Sequence, residues 1–337
     1  MNVLYVGPDS GTSRHRAQAL RRLGHRVHVV DPRPLVSRPA WLARWTWRTG
    51  ALGLDGVLRR SVLARIPTGE WEIALVDGGE LVGPALVEGL RRRCATVVNY
   101  NLDDPFGTRD GRRWRLYLQS VPVYDALVVV REINVTEAQA RGARRVLRVF
   151  RSADEEAHAP PALEAADRAR WGQDVLFIGT WMPERGALAA ELIRRRVPLS
   201  IYGDGWQKAR EWAFIRASWR GPAIYGADYT RAIRGAKACL GLLSRGNRDL
   251  HTQRTMEIPF AGGVLCAERT SEHRALYREG TEAVFWADAH ECAEMCRELV
   301  ADAGRRAALA VRGRERCLEN GHLNERVMAR VLCAATA

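Results

Sequence analysis

Residues 174–179 read Asp174-Val175-Leu176-Phe177-Ile178-Gly179, and they repeat the pattern that opens the chain, Asn2-Val3-Leu4-Tyr5-Val6-Gly7. Each is a short apolar run closed by glycine, the length of a buried strand. Outward from the first, similar runs fall at 26–31, 72–77, 95–100, 125–130 and 145–150, separated by amphipathic stretches such as 13–23 and 81–93. Outward from the second they fall at 198–203, 238–243, 262–266 and 282–286, and 288–334 is patterned as helix nearly throughout. Buried strands alternating with helices predict a parallel sheet covered on both faces. Residues 151–171, with Asp154-Glu155-Glu156 and Pro160-Pro161, break the rhythm and read as a linker. The expected fold class is α/β, with two Rossmann-like domains facing a cleft. The expected domains are 1–155 and 156–337, with the last helix a candidate to pack back on the first. Ligands of such sheets sit beyond the carboxyl ends of the strands.

A length of 337 residues suits two domains, and 47% hydrophobic residues suffice for two cores. No uninterrupted apolar stretch of about 18 residues exists, so no spanning helix is expected. The start shows no secretion-signal pattern, which points to the cytoplasm. There are seven cysteines and no C-x-x-C pair. Cys292 and Cys296 lie four apart on an expected helix, but the His and Cys residues around them do not make the spacing of a zinc site. They read as small buried residues of a reducing compartment, and no metal site is expected. The net charge is +13, carried by arginines spread along the whole chain, with lysine only at 208 and 237. That favours anionic small molecules first, an anionic membrane surface second and nucleic acid third. No aromatic-plus-basic nucleic-acid module is evident, so no nucleic-acid partner is expected. Residues 40–66 carry Trp41, Trp45 and Trp47 with Arg38, Arg44 and Arg48. This segment is either a helix packed on the sheet or an acceptor-recognition or membrane-surface element, the latter placing the protein at the inner membrane surface.

Three loops can carry chemistry. Gly7-Pro8-Asp9-Ser10-Gly11-Thr12-Ser13 opens a helix without a Walker or dinucleotide pattern. Free N–H groups around Gly11, with Arg14 and Arg16, would make an anion site; the alternative is an ordinary turn with Ser13 as N-cap. The corresponding loop of the second half is Gly179-Thr180-Trp181-Met182-Pro183-Glu184-Arg185, where Arg185 suits a diphosphate. The densest polar segment, 244–257, follows an apolar strand and includes Arg245, Asn247, Asp249, Thr252, Arg254 and Glu257. Glu257, on an otherwise apolar stretch, would grip vicinal ribose hydroxyls or form a helix-end salt bridge. Asn99, Asn101, Asp103 and Asp104 follow another strand; one loop offers too few oxygens for Mg²⁺, so they read as acceptor-side lining or as turn chemistry at Asp104-Pro105.

The strings LFIGTWMPER (176–185), IYGDGW (201–206), GADYTRAIRGAKACLGLLSRGNRDLHTQRTMEIPFAGGVLCAERTSEH (226–273) and EGTEAVFW (279–286) together resemble group 1 glycosyltransferases of GT-B fold, most of all the spore-maturation-protein type. The resemblance covers 174–320, and more loosely NYNLDDPF (99–106) and the first strand–loop–helix. It implies a nucleotide-diphosphate-sugar donor held by the second domain and an unidentified acceptor on the side of the first, with no cofactor and no metal. It maps a carboxylate pair separated by seven residues onto Asp249, facing the sugar, and Glu257, on the ribose. Asp249 stands where the family usually has Glu. The resemblance places Arg185 on the diphosphate, with Arg245 or Arg254 supplying the second cation. The backbone around Gly203 and Gly205 and around Thr270 would border the base and the donor sugar by the same resemblance, and Gly179, Thr180, Tyr202 and Gly263 are further candidates for substrate binding.

Sugar transfer requires stabilisation of the departing diphosphate, which fixed donors and arginines supply. An inverting enzyme needs a base, for which His15 and Asp104 are the candidates. A retaining one, towards which the Asp249/Glu257 spacing points, does not. The rival readings are a nucleotide-sugar epimerase of the same fold and an inactive nucleotide- or glycan-binding protein.

Overall fold

The computed structural model describes residues 1–336. The chain forms two compact units. One comprises Met1–Arg151, Gly246–Arg248 and the segment from Asn324 onward; the other comprises Ser152–Arg245 and Asp249–Leu323.

The first unit is built on six parallel strands: β1 (Asn2–Val6), β2 (Arg26–Val30), β3 (Trp71–Asp77), β4 (Cys94–Asn101), β5 (Ala126–Val129) and β6 (Val146–Arg148). Their order is β2-β1-β3-β4-β5-β6, so the strand order reverses between β1 and β3. Alternate residues serve opposite faces. Val3, Tyr5, Ile73 and Leu75 pack with Ala17 and Leu20 of the helix Gly11–Arg22, and with Val327, Met328 and Val331 of the helix Asn324–Thr336. Leu4, Val6, Ala74 and Val76 pack with Leu86, Val87 and Leu90 of the helix Pro84–Arg91. Each fully buried aliphatic side chain contributes about 1.5–3 kcal/mol.

The second unit repeats the design with β7 (Val175–Ile178), β8 (Leu199–Tyr202), β9 (Trp219–Gly221), β10 (Ala238–Gly241), β11 (Leu265–Glu268) and β12 (Val284–Trp286), in the order β12-β11-β10-β7-β8-β9. All pairings are parallel, and the order reverses between β7 and β10. Every apolar run read from the sequence is a strand. β9 was not expected: three residues at a sheet edge, Trp-Arg-Gly, carry no run to read.

Two local readings differ from expectation. Gly11, not Ser13, begins the first helix; Ser10 holds the N-cap position, and Ser13 is buried with its carbonyl accepting the Tyr5 hydroxyl at 3.0 Å. The segment 40–66 forms two helices, Ala40–Thr49 and Asp55–Leu63, which dock through leucines: Leu42, Leu54 and Leu58 pack with Val36, Leu81 and Leu116. Trp41, Trp45 and Trp47 do not pack inward; they are 63%, 46% and 55% exposed. No helix among the described residues is long and apolar enough to cross a membrane.

Candidate functional site

At the carboxyl end of the second sheet lies a cavity of about 410 Å³, bordered by Arg185, Leu242, Leu243, Arg245, Glu268 and Trp286. These residues follow or end β7, β10, β11 and β12, and the volume suits a small molecule. Arg185 lies in the first turn of the helix Pro183–Arg194, whose opening proline pre-sets that turn. Its guanidinium donates to the carbonyls of Leu242 at 3.1 Å, Leu243 at 3.2 Å and Thr180 at 2.9 Å. Those carbonyls fix a permanent positive charge beside the point where strand order reverses. Arg245 is mostly exposed, 3.9 Å from Glu268, while its N–H donates to Glu184 at 3.2 Å. The indole N–H of Trp286 is buried with no partner among the described residues. Such an orphan donor costs about 1–3 kcal/mol unless a ligand or water satisfies it.

The remainder of the polar segment does not line this cavity; it packs near the ends of β7 and β11, where Arg254 reaches the Ile178 carbonyl and His273 the Glu268 carbonyl. Glu257 is buried; Tyr229 donates to its Oε2 at 2.5 Å, and His158 Nε2 stands 3.3 Å from Oε1. Burial pushes the Tyr229 hydroxyl well up, so it remains a donor. Arg254 lies 3.9 Å from Glu257, donates to the Ile178 carbonyl at 3.2 Å and stacks over the Tyr229 ring. A chain of neutral bonds sets this loop. Thr255 Oγ1 accepts from the Thr252 N–H at 3.0 Å and reaches His273 Nε2 at 2.9 Å. His273 Nδ1 faces the Glu268 carbonyl, which can only accept, so the proton sits on Nδ1 and Nε2 accepts from Thr255. Burial lowers the His273 imidazole to about 4 and keeps it neutral. The side-chain oxygens of Thr252 (Oγ1) and Gln253 (Oε1) are buried nearby with no partner among the described residues.

The other expected positions of this unit divide clearly. Gly203 belongs to the backbone frame: with φ +154° and a would-be Cβ 2.0 Å from the Gly179 carbonyl, only glycine fits there. Gly263 is packed against Ile233, an intra-core contact rather than a ligand-facing one. Tyr202 lies against Trp171. Thr270 caps the helix Ser271–Leu276 through His273 N–H and donates to the Leu250 carbonyl at 2.6 Å. Asp249 is buried, and its N–H donates to the Ser244 carbonyl at 3.3 Å.

The first unit places its expected residues around charges that are already balanced. Arg14 turns back to Asp9 at 3.0 Å on the surface, Gly11 is exposed, and His15 is half-buried. Arg16 is buried and bonds Asp77 at 2.6 Å, and Asp77 also takes the Tyr5 hydroxyl. Asp77 was not singled out in the sequence, where it is merely the last residue of an apolar run. Asp104 receives Arg248 through Nε at 2.6 Å and Nη2 at 2.7 Å, and Asn134 at 2.8 Å. Burial raises the Asp104 carboxyl, but the bonds from Arg248 and Asn134 and the Arg131 charge outweigh it and hold the carboxyl below its ordinary range. Asn247 belongs to the same three-residue excursion as Arg248. A second cavity, of about 190 Å³, opens at the carboxyl ends of β2 and β3, lined by Arg33, Val36, Thr46, Trp47, Glu80 and Arg113. Arg113 stacks over Trp47 at 4.5 Å and pairs with Glu80 at 2.5 Å; the Thr46 hydroxyl is buried without a partner.

Paired six-stranded parallel sheets of this order define the GT-B class of fold. A family model described as glycosyl transferase-like matches residues 185–333. The structure resembles HepE of Anabaena in complex with UDP and glucose (TM-score 0.66, 11% identity, covering 99% of this chain and 100% of that one). It also resembles sucrose-phosphate synthase of Thermosynechococcus elongatus (0.69, 12%, 99% and 100%). A third likeness is to a trehalose-6-phosphate synthase studied with bisubstrate glycomimetics for glycosyltransfer with retention (0.67, 12%, 100% and 99%). A comparison with curated proteins found no match.

Proposed function

We propose that this protein transfers a sugar from a nucleoside-diphosphate donor, bound by the second unit, to an acceptor held by the first. The carrying observation is the cavity beyond β7, β10, β11 and β12, with Arg185 fixed at its wall inside the segment matched as glycosyl transferase-like. A guanidinium whose position is set by three carbonyls needs no reorganisation as diphosphate charge develops. Arg185 serves the diphosphate, with Arg245 or Arg254 as the second cation. Glu257 exchanges its 3.3 Å contact with His158 for a ribose hydroxyl. UDP is the first donor to test, since HepE of Anabaena was seen with UDP and glucose.

Retention is the preferred course. A base for inversion must accept the acceptor proton, and Asp104 is held low by Arg248 and Asn134. The reading includes no metal at the Asp103–Asp104 loop, because Arg248 already balances Asp104. The acceptor sits near Trp47 and Arg113, where an indole face and a planar ion pair suit a sugar ring. The spore-maturation-protein-like branch remains our assignment from the motifs. A melting-temperature screen with UDP, TDP and GDP, with and without Mg²⁺, tests the donor site. One base should raise the melting temperature without metal, and Arg185→Ala and Glu257→Ala should abolish the shift. No shift in folded protein sinks the transferase reading. Product analysis with UDP-glucose separates transfer from epimerisation, in which the donor sugar changes with no acceptor.

The protein works at an anionic membrane surface through the helix Ala40–Thr49. Trp41, Trp45 and Trp47 are exposed, and Arg38, Arg44 and Arg48 stand beside them in the sequence. Tryptophan suits the headgroup layer and arginine suits anionic lipid. Co-sedimentation should be strong with phosphatidylglycerol-containing vesicles and lost in the Trp41→Ala/Trp45→Ala double variant; equal recovery without vesicles removes this part of the reading.

A further inference from the structure

Cys292 and Cys296 stand one turn apart on the helix Ala289–Ala301, as the sequence indicated, but the structure supplies a third thiol. Cys266, on β11 between β10 and β12, faces them across the sheet–helix packing. All three are 0% exposed, and their sulfurs lie within 4.8 Å of one another. No other group of three or more potential ligand side chains forms such a cluster among the described residues. Residues around it are apolar: Leu240, Val284, Trp286, Ala293 and Leu299 belong to the same core.

We propose that Cys266, Cys292 and Cys296 form a three-coordinate site for a trivalent thiophilic ion, of which arsenous acid is the probe. Three soft sulfurs with no oxygen or nitrogen ligand select a soft ion. Charge then selects its valence. Three thiolates on a divalent ion leave one negative charge in an apolar core, at a cost of several kcal/mol. Three thiolates on a trivalent ion are neutral. The exchange balances without a redox step: As(OH)₃ and three S–H groups give three As–S bonds and three waters, with arsenic remaining As(III). Small side-chain rotations draw the sulfurs together, and the product ties β11 to the helix Ala289–Ala301. This site is independent of the donor reading above.

The full chain is refolded from denaturant under reducing conditions with arsenous acid, so that burial does not limit access, and weighed by native mass spectrometry. One arsenic per chain is expected, with three thiols lost to titration and a raised melting temperature. Cys292→Ala and Cys266→Ala, each checked for folding by circular dichroism, should lose the tightly held ion, and Cys333→Ala should keep it. Absence of uptake overturns the proposal, as does uptake unchanged in both folded core variants. Stoichiometric zinc uptake in place of arsenic also overturns it, because the core would then tolerate net charge.

Discussion

The two sheets share an architecture, yet their carboxyl edges solve opposite problems. At the first edge, charge meets charge: Arg16 with Asp77, Arg33 with Asp31, Arg248 with Asp104 and Glu137. At the second edge, Arg185 is held by carbonyl dipoles. Both edges bury polar atoms that find no partner among the described residues, such as the Thr46 hydroxyl and Asn134 Oδ1 in the first unit and the Trp286 indole N–H and Thr252 Oγ1 in the second. What differs is the counterpart of the arginines: carboxylates at the first edge, backbone carbonyls around Arg185 at the second. That difference is why we propose the second unit as the donor side.

If the first edge is structural, breaking it should cost stability most. Asp77→Ala leaves Arg16, 4% exposed, as an uncompensated buried cation, and should destabilise the first unit by about 3–5 kcal/mol. Urea unfolding followed by circular dichroism measures this, and Asp77→Asn should recover part of it through hydrogen bonding. A loss below about 1 kcal/mol would mean that the pair is not a support.

The second edge is set by a neutral histidine, and that makes it acid-sensitive. His273 is lowered to about 4 from 6.5, so between those values the unfolded chain binds the extra proton and folding stability rises with pH. The contribution is complete above pH 6.5 and is lost as the pH falls towards 4, about 3 kcal/mol in all. His273→Gln should flatten that part of the stability–pH curve, as read by thermal melts from pH 4 to 7.

Most of the fold was legible because buried parallel strands announce themselves as apolar runs, and β9 was lost because an edge strand of three residues does not. The site was legible at the level of segments. The loop 244–257 stood out by polarity, but its structure depends on distant partners: Tyr229 and His158 on Glu257, His273 on Thr255. Asp77 was hidden at the end of a hydrophobic run, and Cys266 was hidden because its sulfur meets Cys292 and Cys296 only through sheet–helix packing. Sequence spacing sees partners on one helix, not partners brought together by a fold.

Arg185→Ala sharpens the comparison from the ligand side. On the donor site we propose, it removes a charge aimed at the diphosphate, so nucleotide affinity should fall roughly tenfold to a hundredfold, about 1.5–3 kcal/mol. The apo melting temperature should fall too, because three carbonyls lose their donor, but Arg185→Lys should restore melting more than binding, since an ammonium cannot span three carbonyls and a diphosphate together. Calorimetric titration with UDP reads the affinity.

The smallest expected effect concerns the tryptophans. Trp45→Ala removes a side chain that is 46% exposed and donates one long bond, 3.4 Å, to the Leu52 carbonyl. Stability should change by no more than about 0.5 kcal/mol, because surface positions outside the core carry little of it. A larger loss in urea would show that this indole supports the helix Ala40–Thr49, and its exposure would then need no partner. An unchanged midpoint together with lost vesicle binding would separate the two roles that the first unit combines: a self-balanced edge that holds the fold, and an apolar, basic surface that the fold itself does not use.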